Sequence, residues 1–154
     1  MKVGIAGAGA IALGYAALLI SRGYTACLWS PSGTTTADLR EGHAFESERR
    51  NRGQFHPYVF RNAAELTQND VIVLALPAYG QRFVIDALVQ LLEPRHSVII
   101  SGHLSFAALY LAERLSARGQ LNNLAKSTGC GIQSRCAQMI AKSTRKHPGK
   151  PCNV

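Results

Sequence analysis

The sequence predicts an α/β domain organised around a doubly wound parallel sheet. Three observations lead there. Short strand-like segments alternate with longer helix-like ones from residue 2 to residue 117; two of the strand-like segments, DVIVLAL and SVIIS, are apolar without alternation; and a glycine-rich turn joins the first strand to the first helix. Alternating βα units make parallel sheets covered on both faces, so their strands read as continuous apolar runs. With 154 residues, 47% of them hydrophobic, the chain has material for one core.

The first strand is expected at residues 2–6 (KVGIA), ending in glycines, and residues 10–21 carry the apolar density of a buried helix closed by Arg22-Gly23. Residues 25–29 (TACLW) form the second strand, stopped by Ser30-Pro31-Ser32-Gly33, and residues 36–41 a short helix ended by Gly42. Residues 43–57 are polar and charge-rich and read as a solvated excursion. A short edge strand at 58–61 and a small helix at 63–66 follow. The run at 70–76 belongs in the sheet centre. Pro77 stops it, a helix is expected at 81–92, Pro94 breaks that helix, 97–101 is the next strand, and 106–117 an amphipathic helix closed by Arg118-Gly119. Residues 1–119 are therefore read as the domain, and residues 120–154 as an irregular basic tail. That tail is either a solvated extension or, given its abrupt change of composition, a frameshifted end.

The formal charge of +8 and a pI near 9.7 raise the question of a nucleic-acid partner. Residues 1–116 hold ten Lys and Arg against all nine Asp and Glu, so the basicity belongs to the tail. The tail has no aromatic residue for base stacking, which ranks nucleic acid last. The four cysteines, Cys27, Cys130, Cys136 and Cys152, show neither metal spacing nor a disulfide framework. Cys27 sits in an apolar run as an inert thiol, and a reducing, cytoplasmic compartment follows. The uncharged stretch from Val3 to Ile20 has nearly the length of a membrane span, but four glycines interrupt it, so no membrane association is expected. His43, His56, His96 and His147 read as surface residues, and the cluster Arg49-Arg50-Asn51-Arg52 as a solvated face.

Gly7-Ala8-Gly9-Ala10-Ile11-Ala12 fits the dinucleotide pattern G-x-G-x-x-G/A at the strand-to-helix turn where that pattern works. Gly7 permits the tight turn, Gly9 lacks the Cβ that a pyrophosphate would meet, and Ala12 is small enough for close packing of helix on strand. The free N–H groups of the first helical turn, with the helix dipole behind them, attract phosphates. Small residues could serve packing alone here, but the βα units that follow favour a Rossmann-type nucleotide domain. After the second strand, where NAD binders place an acid for the ribose hydroxyls, the chain reads Trp29-Ser30-Pro31-Ser32. No carboxylate repels a 2′-phosphate, and Ser30, Ser32 and Arg40 can donate to one, so NADP is expected over NAD. Trp29 is read either as a core residue or as a flank for an adenine. Ligands of open α/β sheets lie outside the carboxyl ends of the strands, so Leu76, Pro77 and Ala78 are expected to touch the cofactor. His103, after the last strand, could reach the nicotinamide or a substrate, or simply cap its helix; no catalytic residue and no metal ligand is assigned.

Taken together, MKVGIAGAGAIALGYAALLISRGY, the Trp29-Ser30-Pro31-Ser32 turn, DVIVLALPAYG and SVIISGHLSFAALYL resemble the cofactor domain of the opine dehydrogenases, the octopine and nopaline enzymes, over about residues 1–119. The glycine fingerprint alone is shared with ketopantoate reductases and glycerol-3-phosphate dehydrogenases, which stand as the alternative, as does a non-catalytic dinucleotide-binding module. The resemblance implies an NAD(P)H-dependent oxidoreductase that condenses an amino acid with a 2-oxo acid and reduces the imine to a secondary amine. It also implies a second, helical domain bearing the substrate contacts, whose place the basic tail takes. The expectation is therefore nucleotide binding without efficient turnover by this chain alone, a small-molecule substrate only where a second domain is supplied, and self-association through apolar surface such a domain would cover.

Overall fold

The computed structural model describes residues 1–47, 52–101 and 106–119. The tail, His103 and His147, three of the four cysteines and Arg49, Arg50 and Asn51 lie outside the described residues. Strand β1 (Lys2–Ala6) leads through a glycine turn into α1 (Ala10–Ser21), β2 (Thr25–Trp29), a 3-10 turn (Thr34–Thr36) and α2 (Ala37–Arg40). A hairpin of β3 (Phe45–Ser47) and β4 (Gly53–Phe55) precedes β5 (Tyr58–Val59) and α3 (Ala63–Leu66). Then come β6 (Val71–Leu74), α4 (Ala78–Val89), β7 (Ser97–Ile100) and α5 (Ala107–Ser116).

Five strands form one sheet in the order β5-β2-β1-β6-β7, every pair parallel. This is the Rossmann-like doubly wound arrangement expected. Ile5 lies opposite Leu28 on one side and Val73 on the other, and Val73 opposite Ile99. The lack of alternation in β6 has a direct cause. Val71 and Val73 join the layer of α1 with Val3, Ile5, Ala12, Ala16 and Leu28, while Ile72 and Leu74 join Leu66, Ile85, Leu88, Leu111 and Leu115 on the opposite face. Each fully buried aliphatic side chain there contributes about 1.5–3 kcal/mol. No described helix is long and apolar enough to cross a membrane.

Three expectations are corrected. The excursion at 43–57 is not merely solvated: Phe45 and Phe55 face each other across the β3–β4 hairpin at 5.6 Å between ring centroids, and Phe55 is buried. Two aromatic rings ten residues apart supply the apolar contact that a charged segment otherwise lacks. His96 is not a surface residue; it is 2% exposed. Its Nδ1 accepts the Glu93 N–H at 2.7 Å and its Nε2 lies 2.7 Å from the Thr67 carbonyl, so the ring is the Nε2–H tautomer, tying the entry of β7 to the end of α3. Finally, α4 starts at Ala78 rather than 81, because Pro77 stands at the N-cap with φ −62°, outside the hydrogen-bonded turn that its missing N–H would have broken.

Candidate functional site

The order of the sheet changes direction between β1 and β6: β2 and β5 extend it on one side of β1, β6 and β7 on the other. At such a switch the turns leaving adjacent strands diverge and leave a crevice at the carboxyl edge. The turns that border it here are residues 7–9 after β1 and 75–77 after β6. Both are pinned to the sheet, since the Gly7 N–H donates to Trp29 O at 2.7 Å and the Ala75 N–H to Ala6 O at 2.9 Å.

The two glycines of the first turn are glycine for different reasons. Gly7 has φ +127°, and a Cβ on it would drive into the Ala75 carbonyl oxygen, with the Leu76 Cδ2 at 3.5 Å behind. Backbone conformation and close approach both demand glycine. Gly9 has φ −80° and ψ 179°, which any residue adopts, and nothing of the protein lies within 4 Å of a Cβ built on it. Neither the fold nor the packing requires glycine there, so the open space in front of it is available to something outside the chain. Gly9 is also the N-cap of α1, with no side-chain cap, and the first turn of the helix has no acidic residue. The first turn therefore leaves N–H donors facing the crevice without a side-chain acceptor. Ala8 is half-buried, Ala10 exposed, and Ala12 fully buried against the sheet, as helix-on-strand packing needs; Ile11 is 64% exposed beside the donors.

At the carboxyl end of β2 the structure brings Ser30 and Ser32 together, their Oγ atoms 3.3 Å apart. Two further hydroxyls that the sequence reading missed complete the group: Thr35 Oγ1 lies 3.4 Å from Ser30 Oγ, and the Thr34 hydroxyl donates to Ser32 Oγ at 3.2 Å. No carboxylate belongs to this group. Arg40, in the last turn of α2, makes no hydrogen bond or ion pair among the described residues. Trp29 is 6% exposed within the main apolar cluster, which is the core reading of that residue. Cys27 is free and buried, and burial pushes its thiol above the ordinary range, with Lys2 pulling weakly the other way.

Across the crevice, Leu76 is half-buried against the Gly7 turn, while Pro77 and Ala78 are exposed at the start of α4. Gln81, also missed from sequence, is 3% exposed, and its Nε2 donates to the Leu76 carbonyl at 3.1 Å. It fixes the β6 loop from within α4; the only signal in the sequence was an amide five residues past the strand end. Beyond Ala78, between the opening turns of α4 and α5, lies a cavity of about 280 Å³ lined by Ala78, Gln81, Arg82, Ile85, Phe106, Ala107 and Tyr110. Among the described residues no group of His, Cys, Asp and Glu could hold a metal ion.

The residues present fit a dinucleotide: donors without acceptors, a glycine whose Cβ would fill the space, and hydroxyls at the end of β2. A family model described as ketopantoate reductase PanE/ApbA matches residues 3–102. No curated protein matches by sequence. Among solved structures, a protein from Ralstonia solanacearum MolK2 described as a ketopantoate reductase is similar at 24% identity and TM-score 0.54, over 64% of this chain and 30% of that one. Glycerol-3-phosphate dehydrogenase from Coxiella burnetii is similar at 17% identity and TM-score 0.60, over 78% and 37%. Octopine dehydrogenase in complex with NADH and agmatine is similar at 16% identity and TM-score 0.61, over 75% and 32%. The chain thus spans about a third of the length of these structures.

Proposed function

This chain belongs to the ketopantoate reductase PanE/ApbA family, and from that premise we propose that residues 1–119 are the nicotinamide-dinucleotide-binding domain of an oxidoreductase that reduces a 2-oxo acid. In this reading the Gly7, Ala8 and Gly9 turn and the N–H groups of Ala10, Ile11 and Ala12 hold the diphosphate. Leu76, Pro77 and Ala78 border the nicotinamide side, and Ser30 and Ser32 face the adenosine ribose. Neutral hydroxyls without a carboxylate favour NADP over NAD. The observation that carries the reading is Gly9: a glycine that neither its backbone angles nor any protein neighbour requires, set at an uncapped helix end. Bound there, the cofactor supplies hydride; the described residues supply its binding and orientation. In this reading the free, buried Cys27 is in keeping with a reducing, cytoplasmic compartment.

A narrower reading, reductive condensation of an amino acid with the oxo acid, is favoured by the segments that resemble opine dehydrogenases, and by the likeness of the fold to octopine dehydrogenase. Formation of a secondary amine rather than a hydroxy acid, by these residues joined to a catalytic domain, separates it from ketopantoate-type reduction. The primary test is titration of the purified chain with NADPH and with NADH, following energy transfer from Trp29, the single tryptophan, to the nicotinamide. Saturable transfer with tighter binding of NADPH is expected. No saturation with either dinucleotide would end the proposal.

A further inference from the structure

Of the five buried residues of α4, four are aliphatic, Val84, Ile85, Leu88 and Val89, and the fifth is Gln81. An amide in that layer forgoes the apolar burial that a leucine or methionine would supply, so its presence needs a polar reason. Its partner gives one. Gln81 Nε2 donates to the Leu76 carbonyl at 3.1 Å, and since a carbonyl can only accept, the NH2 end of the amide is the end that faces it. The bond runs opposite to a helix cap. A capping glutamine accepts from a backbone N–H at the helix start, whereas here the amide donates to a carbonyl that precedes the helix.

Leu76 is the residue that needs holding. Ala75 is tied to the sheet through its N–H to Ala6 O at 2.9 Å, but the Leu76–Pro77 peptide beyond it has no N–H to donate, and Pro77 is the N-cap of α4 without a side-chain cap hydrogen bond. On its other side the Leu76 side chain lies against the Gly7 turn, its Cδ2 3.5 Å from the place that a Gly7 Cβ would occupy. Leu76 thus links the two turns that border the crevice, and Gln81 holds it from behind. We propose that Gln81 is a positioning residue for the nicotinamide ring: by fixing the Leu76 carbonyl it sets the separation of the 75–77 turn from the Gly7 turn, and so the width of the crevice on the side where the ring enters. Gln81 acts through Leu76 rather than by contact with the ligand. The inference rests on the reading of that crevice as a dinucleotide site.

The test compares the full 154-residue chain with Gln81→Met, which keeps the length of the side chain and removes the donor. NADPH is titrated by energy transfer from Trp29, and 2′-phospho-ADP-ribose, which lacks only the nicotinamide, by calorimetry. NADPH affinity is expected to fall about five- to tenfold in Gln81→Met, as loss of one buried hydrogen bond implies, while that of 2′-phospho-ADP-ribose changes by less than about twofold. Transfer at saturation is expected to change as well, because it depends on where the ring sits relative to Trp29. In the ligand-free chain, amide exchange at Leu76 and Ala78 is expected to speed up while that of α1 holds. Gln81→Glu, whose carboxylate has no proton to give, should reproduce these effects. Equal losses for the two ligands would mark a general loss of stability and overturn the inference, as would unchanged NADPH affinity or unchanged exchange at Leu76 and Ala78. Each of those results leaves NADPH binding by the wild type intact; a wild-type chain that saturates with neither ligand would instead overturn the dinucleotide reading, and this inference with it.

Discussion

Replacing each of the two glycines after β1 by alanine separates what the fold needs from what a ligand needs. At Gly7 the substitution meets φ +127° and the Ala75 carbonyl together. A left-handed backbone position costs a non-glycine residue about 1–3 kcal/mol, and the clash adds to that, since the carbonyl belongs to a turn whose N–H is bonded to Ala6 O. A loss of about 3 kcal/mol, against a urea slope of about 1–3 kcal/mol/M, lowers the unfolding midpoint by about 1–3 M. At Gly9 the same methyl meets nothing within 4 Å at φ −80°. Stability should hold or rise by about 0.4–1 kcal/mol, because alanine restricts the unfolded chain. The Gly9 methyl does occupy the space before the uncapped donors, so NADPH affinity should fall about tenfold or more, or about 1.4 kcal/mol per decade. Urea unfolding followed by Trp29 fluorescence reads the first quantity, and NADPH titration the second. A Gly9→Ala protein that is folded and binds NADPH as the wild type does would refute the diphosphate cradle. A Gly7→Ala protein with an unchanged midpoint would refute the close approach of the two turns.

Three other perturbations have defined outcomes. Ser32→Asp puts a carboxylate into the hydroxyl group at the end of β2 and should weaken NADPH about tenfold while leaving NADH unchanged or tighter; parallel titrations decide, and equal losses for both would show that the group does not face a 2′-phosphate. The Cys27 thiol, raised by burial, should resist alkylation at pH 8 in the native chain and react in urea, as peptide mapping would show. A raised native value means the protonated form is the one the fold favours, so this contribution is complete below the ordinary thiol range and is lost as pH climbs through it. Glu93 is held below the usual carboxylate range by the Arg95 hydrogen bond and charge, so its contribution is present at neutral pH and fades as pH falls through the acid range. Both side chains are exposed, so the difference in urea midpoint between wild type and Arg95→Gln should be small and shrink further in about 1 M salt, where the Debye length is about 3 Å.

The central strands were legible because β1, β2 and β6 bury both faces, so that runs such as DVIVLAL lack alternation; the glycine turn was legible because its spacing encodes a backbone path. What was not legible depends on partners far along the chain. His96 is buried because the Glu93 N–H and the Thr67 carbonyl, 29 residues away, take its two nitrogens, and no local pattern announces that. Phe45 and Phe55 sit among charges and become a hairpin only when they meet each other and the α1 layer. Thr34 and Thr35 carry no signal in the sequence; the 3-10 turn is what folds their hydroxyls back onto Ser32 and Ser30. Gln81 has the composition of a helix surface, yet its amide is turned inward to a carbonyl of the preceding loop.

The distribution of caps along the helices carries a further argument. The four-residue α3 satisfies its own start: Asn62 accepts the Glu65 N–H at 2.9 Å, and the Glu65 carboxylate accepts the Arg61 N–H at 2.9 Å. The other four-residue helix, α2, has Asp38 in its first turn. The three long helices, α1, α4 and α5, have neither a side-chain cap nor an acid there, although each omitted cap forgoes about 1 kcal/mol. In a parallel sheet every helix that follows a strand opens at the carboxyl edge, so these three starts share one side of the molecule. A fold needing only its own stability would place the acids where the dipoles are longest. The acids at this edge stand on α2 and α3, away from the β1–β6 crevice, while the start of α1, which borders the crevice, has none, which is the arrangement expected if an anionic group from outside the chain completes that helix end.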